Sequence, residues 1–499
     1  MLSTVLPNLP FPLTTTLGWV TLPLLVGFSI YLFPKLDRVL AMGIALVSLL
    51  FGLQKIIQPD ALSVQLTDSF GVSLLVDGLS GYFILTNAVV AAAVILYCWQ
   101  QQKGSFFYTQ IIILHGSINS VFICADLISL YVALEVVGIA AFLLITYPRS
   151  GKSIWVGLRY LFVSNTAMLF YLMGALLVYQ SSGSFEFTGL ATAPTDAIAL
   201  IFLGLLSKGG IFVSGLWLPL THSESETPVS AMLSGVVVKA GVFPLVRFAL
   251  LVEDLAPIIG IFSVGTAVLG TSLAIVERDT KRLLAWSTIS QIGFILSAPV
   301  VAGFYAFGHG VAKATLFLTV GKLPSRDFEV LRTTSIRLSL WIPITLGSLS
   351  LAGFPLVAGF NAKTLTLKQL DGWQSIVLNI VTVGSAIAVS KFIFLPFHND
   401  LKGEQQENSP KASSFLPKTA WCAVGLLLTA LVVGTVLHAD DYTLPNLAKA
   451  TGKVGLGFLI YQIAARKLTL RLPRNPEKLE HLIGGMSMML ILVFLMVIA

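Results

Sequence analysis

The chain has 499 residues, of which 56% are hydrophobic and only 11% charged, and its mean hydropathy is +0.87. This is far too apolar for a soluble globular enzyme and defines an all-α polytopic membrane protein. The formal net charge of +7 reads as basic loops that set membrane topology, not as a nucleic-acid surface. Cys98, Cys124 and Cys422 form no CxxC pair and no metal spacing. No GxGxxG follows a strand and no Walker loop occurs, so no metal, nucleotide or redox cofactor is expected.

Apolar runs predict spans at about 17–34, 38–57, 78–98, 106–125, 127–147, 157–179, 197–220, 228–250, 257–276, 283–301, 303–321, 339–367, 374–397, 417–437, 454–465 and 480–498. The fifteenth is short and reads as interfacial. About fourteen core transmembrane helices follow, and up to sixteen. The first run has no basic segment before it and reads as a retained span, not a cleaved signal peptide. Segment 62–77 alternates and contains Gly71, which predicts a short hairpin on the outer face. The polar stretch 399–414 predicts a flexible inner linker.

With the N-terminus outside, Lys35, Arg38, Lys103, Arg149, Lys152, Arg278, Lys281, Arg326 and Arg337 all fall on inner loops. That is the positive-inside pattern. One inner loop departs from it: His222, Glu224 and Glu226 make it acidic, which reads either as a solvated loop or as a contact for a basic partner.

Charges inside the spans carry the functional signal, because an embedded charge costs at least a few kcal/mol and usually has a partner. Glu135 lies in the fifth span. Lys208 lies in the seventh, followed by Gly209, Gly210, Ser214, Gly215 and Pro219, which predict a broken helix. Lys239 lies in the eighth, after a first-turn Pro228, and Arg247 near its outer end reads either as a snorkelling cation or as a further functional charge. In the eleventh, His309 and Lys313 are four apart and share a helix face. The AGFP and AGF elements break the twelfth span, and Lys363 follows the break. Lys391 stands among apolar residues of the thirteenth. Spans four to eight and nine to thirteen share this plan, a transporter signature. The chain therefore divides into N-terminal spans with an outer hairpin (1–105), a first five-helix repeat (106–250), a second, inverted one (257–397), a polar inner linker (398–416) and C-terminal spans (417–499).

These residues resemble the antiporter-like subunits shared by Mrp-type Na+/H+ antiporters and respiratory complex I. The matching stretches are DLISLYVALE at 126–135, the Lys208 segment with Trp217 and Pro219, TPVSAMLSGVVVKAGVFPLVR at 227–247, DTKRLLAWSTISQIGF at 279–294, HGVAKATLFL at 309–318 and LAGFPLVAGF at 351–360. The KAGVFPLVR ending looks like the D-type member of the Mrp antiporters. The resemblance implies that Glu135 is the embedded glutamate, Lys208 the broken-helix lysine and Lys239 the central lysine. It makes His309 and Lys313 the next relay groups and Lys363 the exit-side lysine. Val213 stands where the family often has a helix-breaking proline. Ser234 and Tyr305 stand where some relatives have histidines, so the relay here leans on lysine and water.

The function expected is proton translocation in a multisubunit cation/proton antiporter, with Na+, K+ or H+ alone left open as the ion moved. The alternative is the homologous proton-pumping subunit of a type I NAD(P)H dehydrogenase, with redox chemistry on other subunits. A non-transporting scaffold is disfavoured by the number of buried charges it would leave unused. The partners expected are other membrane subunits of one complex and the lipid bilayer, with no nucleic acid. The setting expected is an inner, plasma or other energy-transducing membrane.

Overall fold

The computed structural model describes residues 11–66, 72–398, 417–467 and 478–498. The tip of the expected hairpin, with Gly71, and the expected linker at 399–414 lie outside these described residues. The chain is a bundle of helices: α1 (Phe11–Leu32), α2 (Asp37–Ile57), α3 (Gly78–Cys98), α4 (Ser105–Val121), α5 (Leu127–Ile145), α6 (Gly151–Ser182), α7 (Thr195–Gly209), α8 (Leu218–Glu224), α9 (Thr227–Met232) and α10 (Lys239–Leu251) form the first part. They are followed by α11 (Ala256–Val276), α12 (Thr280–Ser297), α13 (Ala302–Val320), α14 (Leu338–Ala352), α15 (Ala358–Lys368), α16 (Gly372–Ile393), α17 (Lys418–Val436), α18 (Leu444–Ile463) and α19 (Leu479–Ile498).

Among the described residues, twelve helical stretches are long and apolar enough to cross a membrane. The other expected spans are helices that miss that measure. α4 has 17 residues, α14 with α15 is broken, and α12 and α18 carry charge or polar groups. The fifteenth span was expected to be short. It is instead a 20-residue helix that begins at Leu444, ahead of Lys449 and Lys453.

Local sequence explains the helix starts. Asp77, Asp126 and Asp279 cap α3, α5 and α12 by accepting from the backbone N–H three residues on, and Ser150 forms a capping box with Ser153 on α6. Pro219, Pro228, Pro257 and Pro445 stand in first turns, where their missing N–H costs nothing. The hairpin forms as expected: β1 (Leu62–Gln65) pairs antiparallel with β2 (Ser73–Val76). Asp126 ties it to the bundle, its carboxylate accepting from Ser73 N at 2.8 Å and from Ser129 N at 2.7 Å.

Helices α3, α9, α10, α12 and α13 are almost wholly buried, whereas α1, α2 and α19 present apolar side chains outward, as lipid-facing helices do. The most central helix pair touches backbone to backbone. A Cβ on Gly241 of α10 would run into Gly209 and Lys208 of α7, so only glycine permits this approach.

Candidate functional site: a line of buried lysines

The two breaks are built alike. Helix α7 ends on Gly210 in the left-handed region, with φ 66°, and α14 ends on Gly353, with φ 82°. In each break a non-glycine residue also takes positive φ, Phe212 at 53° and Leu356 at 81°. Each break satisfies its freed backbone internally, as non-helical chain at membrane depth requires. In the first, Ser214 Oγ donates to the Leu206 and Ile211 carbonyls at 2.9 and 2.6 Å. Trp217 Nε1 donates to the Ser207 carbonyl at 3.0 Å, and Phe212 N donates to the Thr266 hydroxyl at 3.0 Å. In the second, Leu356 N donates to the Tyr442 hydroxyl at 3.1 Å and Lys363 Nζ itself reaches the Ala352 carbonyl at 3.4 Å. Lys208 stands in the last turn of α7. Lys208 thus sits at the C-terminal end of a half-helix, and Lys363, from the helix after its break, reaches back to the C-terminal end of α14, where the helix dipole favours a cation.

Lys208 is buried and donates to Ser164 Oγ of α6 at 2.6 Å. Its ammonium rests over Gly138 of α5, where a Cβ would come within 2.9 Å of Nζ. Gly138 and Glu135 are three apart on one face of α5, and the Glu135 charge acts on Lys208. Glu135 is only half-buried, yet its Oε1 has no hydrogen-bond partner, and neither does the buried Tyr160 hydroxyl nearby. In this conformation Lys208 is held by a serine, not by the glutamate.

Lys239 and Lys313 are fully buried. A π-helical turn, Leu233–Val237, precedes Lys239, whose Nζ folds back onto the Gly235 carbonyl. Such turns concentrate at functional sites. Lys313 donates to the Leu284 carbonyl at 2.8 Å and to Ser287 Oγ of α12. His309 feels the charges of Lys239 and Lys313, and both of its ring nitrogens are buried without a partner. Helix α12 lends hydroxyls and an amide along this line. Thr288 bonds Ser234 at 2.7 Å, and Tyr305 donates to Gln291 Oε1 at 2.7 Å. The hydroxyls of Ser234 and Tyr305 therefore both remain hydrogen-bonded. Tyr305 stacks on Phe294 at 5.8 Å, and Lys363 Nζ lies 5.1 Å from the Phe294 ring on its way to the second break.

Four sequence readings change. Arg247 does not snorkel: it forks onto Asp77 at 2.5 and 3.0 Å and reaches Ser80 Oγ at 3.1 Å. Lys391 is not joined to the other lysines. It donates to the Ile275 and Glu277 carbonyls at 2.5 and 2.7 Å, and so caps the C-terminal end of α11. The acidic loop does not wait for a foreign partner. Glu226 pairs with Lys103 at 2.7 Å, and Glu224 with Lys152 at 2.6 Å and Arg326 at 3.7 Å, all from this chain's own basic loops. His222 is not on a loop at all. It is fully buried in α8 against Trp217 and Phe317, and it feels the Lys313 charge.

Sequence reasoning missed Ser164, Gly138, Ser287, Thr288 and Gln291, and it placed His222 on a loop. The polar run WSTISQ at 286–291, inside an apolar helix, was the available signal for three of them.

Bundle and site together define an integral membrane protein with a mid-bundle line of lysines and two interrupted helices. The family profile described as NADH:quinone oxidoreductase/Mrp antiporter, transmembrane, matches residues 124–388, just over half of the chain. The chain belongs to that family. It is 26% identical over 441 residues to the N-type subunit of NADH-quinone oxidoreductase from Desulforudis audaxviator, covering 81% of this chain and 85% of that one. It is 24% identical over 460 residues to the D-type subunit of the Na(+)/H(+) antiporter from Alkalihalophilus pseudofirmus, covering 83% and 92%. Against the chloroplastic NAD(P)H-quinone oxidoreductase subunit 5 of Acorus calamus it is 28% identical over 484 residues, but spans only 64% of that longer protein. In fold it is similar to a chain of the Mrp complex from Dietzia sp., with TM-score 0.74, 18% identity and coverage of 94% and 99%. It is also similar to a chain of the membrane-bound sulfane sulfur reductase, an archaeal respiratory membrane complex, with TM-score 0.73, 21% identity and coverage of 90% and 99%.

Proposed function

We propose that this chain is the proton-translocating subunit of a multisubunit monovalent cation/proton antiporter. The observation that carries this reading is the placement of Lys208, Lys239, Lys313 and Lys363. All four are buried, and each bonds to carbonyl or hydroxyl oxygen and not to carboxylate. Lysines held this way are not fixed counter-charges, and they are expensive unless they exchange protons.

In this mechanism Glu135 sets the charge state of Lys208. The carboxylate nearby favours the ammonium; with the carboxylate remote, desolvation disfavours it, and the proton leaves toward Lys239. The Ser234–Thr288 and Lys313–Ser287 contacts then offer hydroxyl steps toward His309 and Lys313. Lys363 delivers the proton to the cavity beside it.

The reading includes residues 106–250 and 257–397 as two copies of one unit, inverted in the membrane. The twin breaks at Gly210 and Gly353 support it. It also places the N-terminus outside, in a plasma or other energy-transducing membrane, with further membrane subunits alongside. A second reading, the homologous subunit of a type I NAD(P)H dehydrogenase, draws on an equally close likeness to the N-type oxidoreductase subunit. Copurifying partners separate the two: small antiporter subunits on one side, quinone-reductase subunits on the other.

Glu135→Gln tests the mechanism. It should abolish or severely reduce proton uptake by vesicles while the protein still inserts and assembles. Near-normal uptake would remove Glu135 from the mechanism.

A further inference from the structure

At the end of the bundle where α15 stops and α16 and α18 begin, a cavity of about 210 Å³ lies among these three helices. Lys363, Lys368, Lys449 and Lys453 line it, and among the described residues no carboxylate does. Lys368 is neutralised by Asp441 at 2.6 Å. That leaves Lys363, Lys449 and Lys453 lining one void, together with Ser375 and Asn379 of α16. Like charges gathered around one cavity repel unless an anion joins them, and three ammonium groups suit the oxygens of a phosphate.

The surroundings favour a lipid as the source of that phosphate. Lys449, Lys453 and Leu456 follow one another at helical spacing on one face of α18. Below the lysines α18 exposes Leu456 and Leu459, and beside Asn379 α16 exposes Ile376 and Ile380. Trp373, more than half exposed, stands at the start of α16, where interfacial tryptophans mark the headgroup level. Polar pocket and apolar strips are thus continuous along both helices.

We propose that this cavity binds the phosphate of an anionic phospholipid headgroup, with the acyl chains lying over the exposed isoleucines of α16 and leucines of α18. Inorganic phosphate shares the headgroup's chemistry but has nothing to place on those strips. The bound charge would sit in the same cavity as Lys363, the last lysine of the line, and would favour its ammonium form.

The test measures binding, so it does not depend on whether the chain transports protons. The purified complex is exchanged into micelles of phosphatidylcholine with added phosphatidylglycerol, and bound lipid is read by native mass spectrometry. Wild type should retain phosphatidylglycerol selectively. Lys449→Gln combined with Lys453→Gln should weaken retention by roughly 30-fold, from the usual attraction per lysine at an anionic surface, while thermal unfolding in phosphatidylcholine alone stays unchanged. Retention unaffected by the double substitution overturns the site. Inorganic phosphate competing as tightly as phosphatidylglycerol overturns the lipid assignment. A cross-link from position 449 to a carboxylate of a neighbouring subunit in the intact complex would also overturn it, by putting protein where the lipid is proposed.

Discussion

Replacing Gly138 by alanine probes the Lys208 site without removing a charge. The added Cβ would stand 2.9 Å from Lys208 Nζ and 3.5 Å from Ser164 Oγ. The ammonium is the flexible element there, so it must move by some tenths of an ångström. Its 2.6 Å bond to Ser164 is what gives way. A hydrogen bond to a charged group contributes about 1.5–3 kcal/mol. At about 1.4 kcal/mol per tenfold, transport should slow by roughly 10- to 100-fold. The same change should help the helix, because alanine is favoured over glycine in a helix interior by about 0.5–1 kcal/mol. This gain offsets part of the lost hydrogen bond, so assembly should hold while transport falls, which a packing defect would not produce. The assay is dye-reported proton uptake into inverted vesicles, normalised to assembled protein, beside thermal unfolding in detergent. Wild-type uptake in the variant would refute the importance of the ammonium's seat over Gly138. A joint fall in assembly and uptake would refute it as well.

Lys208→Arg should not restore transport although it keeps the charge, since arginine does not release its proton in proteins; pH-dependent uptake at the wild-type rate would make the residue a fixed counter-charge. Gly353→Ala should lower stability by about 1–2 kcal/mol, from the left-handed backbone at φ 82° and a Cβ 2.8 Å from Lys363 Cδ, and should slow uptake; unchanged melting would mean the second break is not held as described. Burial pushes the Asp77 carboxyl up, but the Arg247 guanidinium and Ser80 outweigh this and hold it below the usual 3.8. The tie therefore contributes stability above the ordinary carboxylate range and loses it as pH falls through the lowered value. Asp77→Asn should cost about 2–4 kcal/mol at neutral pH, because it strands a buried guanidinium, and the deficit against wild type should shrink below about pH 4; a deficit that does not vary with pH would rule out the ion pair as its origin.

The embedded charges and the helix breaks were legible in the sequence because each violates the apolar background. A lysine in a leucine-rich run is costly unless it is used, and glycine with proline in mid-span weakens the helix that carries them. Partners were not legible where contact crosses long stretches of chain. Arg247 meets Asp77 across 170 positions, and Lys391 meets the end of α11 more than 110 positions away, so each reads alone as an unassigned cation. Hydroxyls were hidden for another reason. Ser164 and Ser287 are ordinary in a helix, where a serine can satisfy itself on its own backbone, and only the fold turns them toward lysines. His222 was misplaced because Glu224 and Glu226 beside it look solvated. Those carboxylates in fact close onto Lys103, Lys152 and Arg326, and the helix carrying the histidine is drawn inside. The start of α18 was lost because Lys449 and Lys453 lower the local hydropathy. Both line the cavity at the end of the bundle, so the helix can begin before them.

Lys208 and Lys363 stand at matching breaks but in unlike surroundings. The void around Lys208, between Tyr160, Ser164, Ser207 and Trp217, has no room for a water molecule. The cavity at Lys363 holds about 210 Å³ and reaches exposed lysines, which is ample for several waters, since one needs only about 10–15 Å³. On the proposed mechanism a proton would meet solvent at Lys363 in this conformation, whereas at Lys208 it would pass to the Ser164 hydroxyl or wait for the helices to part. The unpartnered oxygens of Glu135, Tyr160 and Ser207 around Lys208 are groups that a transient water would satisfy. On the proposed mechanism, wetting at the first break is the step still closed in the present structure. The second break is the end that already stands open.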